Sequence, residues 1–193
     1  MTDFAAAISC VFDARARHSW SDRSIPENLI RELYDAVKRG PTSMNSSPAR
    51  FKFLVSQNAK ERLAKHAMEG NRPKIVQAPC VAIVALDEAF YEQMPRLFPI
   101  RDGIRDMFAG NKPLAQSTAF RNSTLQGAYL IVAARLLGLD CGPMSGFDPP
   151  AVDAEFFAGT TLKSNFICSI GYANDTPFPR LPRLPFEDAA ELL

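Results

Sequence analysis

Seven consecutive apolar residues, Cys80-Val-Ala-Ile-Val-Ala-Leu86, limit the fold of this chain more than any other feature. The run is short for a helix and leaves no polar position for water, so it predicts a central strand buried on both faces. Around it, Phe4, Ile8, Val11, Phe12 and Arg15 share one face of an opening helix, with Arg15 and Arg17 at or just past its carboxyl end. Ser24 and Glu27 have capping-box spacing before an apolar stripe, Leu29, Ile30, Leu33 and Val37, that stops at Gly40-Pro41. Phe51–Ser56 predicts a strand, and Lys60–Glu69 a helix closed by Gly70-Asn71.

Farther along, residues 87–113 are rich in aromatics and interrupted by Pro95, Pro99, Gly103, Gly110 and Pro113. They predict an irregular flap with short helical pieces, outside the core. The longest helical pattern runs from Leu114 to Leu137, with Leu125, Tyr129, Val132 and Leu136 among its apolar positions, and ends at Gly138. A glycine-rich connection leads to Asp148-Pro149, the cap and first residue of a further helix, and Asn165–Gly171 predicts a third strand. The proline-rich tail from Ala173 is expected to run extended along a surface. Helices and strands without strict βαβ alternation indicate α+β and one domain over residues 1–193.

Several functions are unexpected from composition. Lys plus Arg total 22 against 21 Asp plus Glu, a net charge of +1, so no basic field points to nucleic acid or an anionic membrane. The apolar stretch Phe4–Phe12 falls short of the roughly 20 residues of a membrane span, and only Asp3 carries charge before it. Cysteines 10, 80, 141 and 168 form no C-x-x-C, which suits reduced thiols in a cytoplasmic protein. With only His18 and His66, a His-based zinc site is not expected, and no metal is assigned. The hydrolase elbow G-x-S-x-G, the dinucleotide fingerprint G-x-G-x-x-G and the P-loop are all missing.

Three features remain. Arginines stand at both ends of the chain, as Arg15, Arg17, Arg180 and Arg183, and guanidinium forks suit a dianionic phosphate; a helix-end charge or a solvated tail explains them as well. Pro41–Pro48 gathers small hydroxyl and amide residues, which turn chemistry alone also selects. Gly142-Pro-Met-Ser-Gly146-Phe allows close backbone approach, or merely a tight turn.

In this order the features resemble the FMN-dependent nitroreductase superfamily along essentially the whole chain. The resemblance rests on Arg15-Ala-Arg17-His-Ser19-Trp20, on Pro41-Thr42-Ser43-Met44-Asn45-Ser46-Ser47-Pro48, on the pair Asn71 and Lys74, on Gly142-Pro143-Met144-Ser145-Gly146-Phe147, and on Arg180-Leu-Pro-Arg183-Leu. The blocks Ala119–Ser123 and Thr161–Asn165 narrow it toward the malonic semialdehyde reductase branch of uracil degradation.

The resemblance implies a mostly antiparallel sheet flanked by helices, in an intertwined homodimer with FMN at the subunit interface. NADH or NADPH would be the co-substrate. The arginine cluster, read as Arg15 with Arg17 or as Arg17 with Ser19, would hold the FMN phosphate together with Arg183 and Arg180. Pro41, Thr42, Ser43 and Asn45 would reach the flavin from the other subunit. Asn71 and Lys74 would meet its pyrimidine edge. Pro143 and Met144 would lie beside it, and an N–H of Ser145 or Gly146 would face N5. Ser47 and Ala49 stand where the wider family often has glutamine and tryptophan, which counts against an aromatic-substrate preference. The expected scheme is ping-pong hydride transfer, with the flap closing over the site. A carboxylate acceptor such as malonic semialdehyde would need a cation, for which Arg50, Arg105 and Arg121 are the candidates. Neither histidine is an evident proton donor. A nitroaromatic or quinone reductase and a non-catalytic FMN carrier remain as alternatives.

Overall fold

A computed structural model describes residues 4–193; residues 1–3 of the expected domain lie outside the described residues. Four strands form one antiparallel sheet in the order β1-β2-β4-β3, with β1 Ala49–Leu54, β2 Cys80–Asp87, β3 Asp140–Met144 and β4 Leu162–Gly171. The apolar run is β2, and Val81 through Ala85 have no exposed surface. Its odd positions Val81, Ile83 and Ala85 face a core with Leu63, Ile75, Phe147, Val152 and Phe157, under helices α3 Gln57–Lys65, α4 Arg72–Gln77 and α8 Pro149–Phe156. Its even positions Ala82 and Val84 face Leu33, Val37, Leu130 and Ala134 of α2 Glu27–Val37 and α7 Lys112–Leu136. The alternation of a pleated strand thus divides one apolar run between two helical layers.

Several expectations need correction. The glycine-rich connection expected after Gly138 is in part strand β3. Gly142 and Pro143 weaken its local signal, but it is an edge strand, where a proline costs no ladder bond on its free side. The Ser24–Glu27 capping box does not form: extended Pro26 is the cap, and Glu27, one residue inside the helix, pairs with Arg31 (2.6 Å). Gly70-Asn71 does not close a long helix either. α3 ends at Lys65, a 3₁₀ turn follows at Glu69–Asn71, and Pro73 lies in the first turn of α4, where its missing N–H is harmless. The opening helix is α1 Phe4–Ile8, continued by a π-helical turn Ser9–Asp13. Asp148 caps α8 as expected, accepting from Ala151 N–H (3.1 Å).

The region read as lying outside the core has one of its own. Its pieces α5 Met94–Leu97 and α6 Ile104–Ala109 bury Phe90, Met94, Ile104 and Phe108 with Leu86 and with Ala115 and Ala119 of α7. The prolines and glycines break the helices without removing the apolar side chains. Helix α7 is central but turned from expectation. Leu125, Tyr129 and Leu136 are exposed, while Ala115, Ala119, Asn122, Ser123, Gln126, Gly127, Leu130, Ala133 and Ala134 are buried. At Gly127 an added Cβ would strike the Phe166 ring, so small residues set how closely the helix approaches the sheet. Among the described residues no helix is long and apolar enough to cross a membrane. The tail beyond Ala173 is extended and mostly exposed, with one unforeseen turn of helix, α9 Phe186–Ala189.

The four cysteines are free. Cys80, Cys141 and Cys168 are buried, and burial pushes the Cys80 thiol up to about 12, far from its nucleophilic form at neutral pH. A thiol reagent at pH 8 should therefore modify at most one residue, Cys10, in the native protein and four after denaturation. Two or more fast-reacting native thiols would contradict the burial.

Candidate functional site

Residues 17–21 and 172–175, far apart in the chain, meet beside β3. Arg17 N–H donates to the Cys141 carbonyl (2.9 Å), Ser21 N–H to the Tyr172 carbonyl (2.8 Å), and Trp20 bridges Ala173. Asp175 fixes this junction. It pairs with Arg17 Nε (3.0 Å), its backbone carbonyl accepts from the same guanidinium, and its side chain accepts from His18 N–H (3.3 Å). Arg17 is thereby occupied by a carboxylate. Arg15, two residues earlier, is half-buried, and its Nε is out of reach of solvent with no partner among the described residues. Arg180 donates to the Phe12 carbonyl (2.5 Å), which brings it to the same corner. Among the described residues, exposed Arg183 donates only to the neighbouring Leu181 and Pro182 carbonyls. Ser19 is half-buried, and its carbonyl accepts from Asn174 N–H (3.4 Å).

Past the other end of β3, Asn71 and Lys74 come together on Gly146. Asn71 Nδ2 donates to the Gly146 carbonyl (3.0 Å), and Lys74 Nζ donates to Asn71 Oδ1 (3.1 Å). Met68 N–H also binds the Gly146 carbonyl (3.0 Å), so the turn is held rigidly. The N–H groups of Ser145 and Gly146 donate to nothing among the described residues. A side chain at Gly146 would place its Cβ 2.7 Å from Asn71 Nδ2, so only glycine permits this approach. Asn71 keeps one N–H and one lone pair, and Lys74 two of its three protons, for a further partner. Between the two ends, Gly142 to Gly146 covers roughly 13 Å of extended chain. A depression of about 320 Å³ lies alongside, lined by Thr124, Ala128, Ile131, Pro143, Met144, Ser145 and Phe166. A larger open groove of about 570 Å³ between α8 and the start of β4 touches Leu162, Lys163 and Ser164 of the Thr161–Asn165 block but none of the candidate cofactor or substrate residues.

The segment Pro41–Pro48 is strained. Met44, Asn45 and Ser47 have φ of 51°, 51° and 40°, a region that costs a non-glycine residue roughly 1–2 kcal/mol. Thr42 Oγ1 accepts from Ser47 N–H (3.1 Å), and Asn45 Nδ2 donates to the Leu97 carbonyl (2.8 Å), tying the loop to the aromatic segment. Pro41 is exposed at its start. Ser43 N–H donates to Asn122 Oδ1 (2.8 Å), and Ala49 N–H to Gln126 Oε1 (2.9 Å).

Among the candidate substrate cations, Arg50 is spent on Asp87 (2.8 Å) and on the Ser47 and Ala49 carbonyls. Arg105 pairs with Glu92 (2.7 Å) and Asp106 (2.9 Å), contacts that raise its pKa above the ordinary value. Exposed Arg121 has no partner among the described residues and sits one turn before Thr124 of the depression.

Sequence reasoning assigned no role to Asp175, Asn122, Gln126 or Asn165, although Asn122 and Asn165 lie in the blocks Ala119–Ser123 and Thr161–Asn165. Asn165 is the extra residue of a bulge opposite Val84 and Ala85, and its Nδ2 reaches Ser123 Oγ (3.0 Å) and Thr124 Oγ1 (2.9 Å). Asn122 and Gln126 share one face at i, i+4 spacing, but Gln116, Arg121, Ser123 and Thr124 on the same helix hide them among other polar residues.

The nitroreductase family model matches residues 15–172. The chain belongs to the nitroreductase family. This nitroreductase is 52% identical over 183 residues to a Ralstonia pickettii protein named "Putative NADH dehydrogenase/NAD(P)H nitroreductase HadB", covering 93% of each chain. The fold is shared with solved structures of low identity. The Bacillus subtilis nitroreductase ydfN superposes with a TM-score of 0.88 at 20% identity, over 99% of this chain and 100% of that one. An Exiguobacterium sibiricum 255-15 nitroreductase in complex with FMN gives 0.82 at 20% identity, over 100% and 98%.

Proposed function

We propose that this nitroreductase is an FMN-dependent NAD(P)H oxidoreductase working as a homodimer. One observation carries the reading: β3 joins a corner holding the unpartnered Arg15 Nε to a turn holding Asn71, Lys74 and two free N–H groups. The residues fit the cofactor at each point. Arg15 would hold the phosphate, with Arg180 rather than Arg183 the tail arginine already at that corner. Arg17 would orient the segment through Asp175 rather than bind phosphate itself. Asn71 and Lys74 would take the pyrimidine edge, and the Ser145 or Gly146 N–H would face N5. The apolar depression beside Pro143 and Met144 suits a planar ring. When bound, FMN supplies a hydride carrier between NAD(P)H and a second substrate.

Two exposed apolar stripes, Phe4, Ile8 and Phe12 on the opening helix and Leu125, Tyr129 and Leu136 on α7, support subunit pairing. In that dimer Thr42, Ser43 and Asn45 would complete the partner's site.

The best-supported acceptor is a small aldehyde acid, malonic semialdehyde being reduced to 3-hydroxypropionate. Arg121, alone unpaired of the three candidate arginines, would bind the carboxylate. The decisive experiment is anaerobic mixing with NADH: the purified protein should be yellow and should bleach, then recover its colour on adding the acceptor. A colourless protein, or a yellow one that NADH leaves unbleached, would sink the reading. Arg121→Gln should raise KM for the aldehyde acid about tenfold or more with little change in kcat, a loss of charge-assisted binding. Arg105→Gln should leave both unchanged. Faster turnover of nitroaromatics than of the aldehyde would instead make the chain a nitroaromatic reductase.

A further inference from the structure

Asn122 and Gln126 are among the few polar side chains buried in the described protein, at 3% and 4% exposure. Buried amides require partners, and the side-chain oxygens of these two find theirs outside the helix that carries them. One turn apart on α7, they accept from Ser43 N–H (2.8 Å) and Ala49 N–H (2.9 Å), the two ends of a loop with three left-handed non-glycine residues. The loop's internal bonds, Asn45 N–H to the Thr42 carbonyl (3.0 Å), Ser46 N–H to the Ser43 carbonyl (3.0 Å) and Ser47 N–H to Thr42 Oγ1 (3.1 Å), shape the turn but do not fix where it sits. Asn122 is itself oriented by donating to the Thr118 carbonyl (2.8 Å), so its oxygen points outward in one geometry. A strained turn survives only where its surroundings over-determine it.

We infer that Asn122 and Gln126 are positioning residues that clamp the Pro41–Pro48 loop at both ends and present Thr42, Ser43 and Asn45 to the flavin, an inference that rests on the FMN reading above. They touch no cofactor themselves. They act through Ser43 N–H and Ala49 N–H, and hydrogen-bond geometry rather than bulk is what they supply.

The test uses full-length protein as purified, with Asn122→Leu and Gln126→Leu removing the acceptors at similar volume, and Asn122→Asp and Gln126→Glu retaining an accepting oxygen. Two quantities are read: amide hydrogen exchange of peptides spanning 42–49, and FMN dissociation on dilution, followed by recovered flavin fluorescence. Each Leu variant should speed loop exchange and weaken FMN retention about tenfold, the loss expected when a buried N–H is orphaned, and the acidic variants should recover most of both. Should Asn122→Leu prove insoluble, Asn122→Ser withdraws the oxygen without adding apolar bulk and serves the same comparison. Unchanged loop exchange overturns the clamp. Faster exchange with unchanged FMN retention overturns its role toward the cofactor. A wild-type protein that carries no FMN overturns the oxidoreductase reading, while loop exchange still decides whether the clamp exists.

Discussion

Lys74→Met should slow reduction of the bound flavin by NADH about a hundredfold, the usual consequence of removing one fixed charge or donor from a reacting centre. The side chain keeps its length and loses only its ammonium. In the fold, Lys74 Nζ donates to Asn71 Oδ1, while Asn71 stays anchored through Nδ2 to the Gly146 carbonyl. The turn should therefore keep its shape, and thermal stability should change little, since a half-exposed lysine contributes at most about 1 kcal/mol. Rate and stability separate for this reason. Stopped-flow bleaching under nitrogen measures the first and circular dichroism on heating the second. Arg105→Gln, which breaks exposed pairs with Glu92 and Asp106, is the control and should leave the bleaching rate as it was. A Lys74→Met protein that bleaches at the wild-type rate would remove Lys74 from the site.

The largest expected loss of stability comes from a single methyl group. Gly142 lies in β3 where the Arg17 carbonyl crosses it, and a Cβ there would land inside contact distance of that oxygen and 3.4 Å from the Trp20 ring. Both atoms of the sharper clash belong to, or are fixed by, backbone, so no rotamer can relieve it. Arg17 N–H is bonded to the Cys141 carbonyl immediately beside it, so moving the segment breaks that bond as well. Gly142→Ala should cost about 3 kcal/mol, the upper part of the range for overpacking. For a chain of this length that corresponds to a drop of roughly 6–12 °C in Tm. Gly70→Ala, where an added Cβ meets nothing within 4 Å, should shift Tm by roughly 1 °C at most. Equal losses for the two would refute the close approach.

The parts of the fold legible in the sequence were those where one residue class does one job. The run Cys80–Leu86 could only be a doubly covered strand, and Asp148-Pro149 could only open a helix. What was illegible involved residues whose role is set by distant partners. Gly142 and Pro143 look like loop residues until β4 pairs with them. Gly70-Asn71 looks like a helix stop until Asn71 is seen to reach across to Gly146. The candidate site divides in the same way. Its spacing along the chain was readable, as in Asn71 and Lys74, whereas the commitment of Arg17 to Asp175, of Arg50 to Asp87 and of Arg105 to Glu92 requires three dimensions. Asn122 and Gln126 were hidden because a polar residue in a helix ordinarily faces water.

Leu130 apart, helix α7 turns slender and hydrogen-bonding residues toward the sheet and leaves Leu125, Tyr129 and Leu136 outward. A saturation library across it should consequently invert the usual tolerance map. Polar replacements of Leu125 and Leu136, which already face solvent, would fold. At Ala119, Gly127 or Ala134, even a conservative enlargement such as valine would be lost from the surviving population, a signature of girth limits rather than of greasiness.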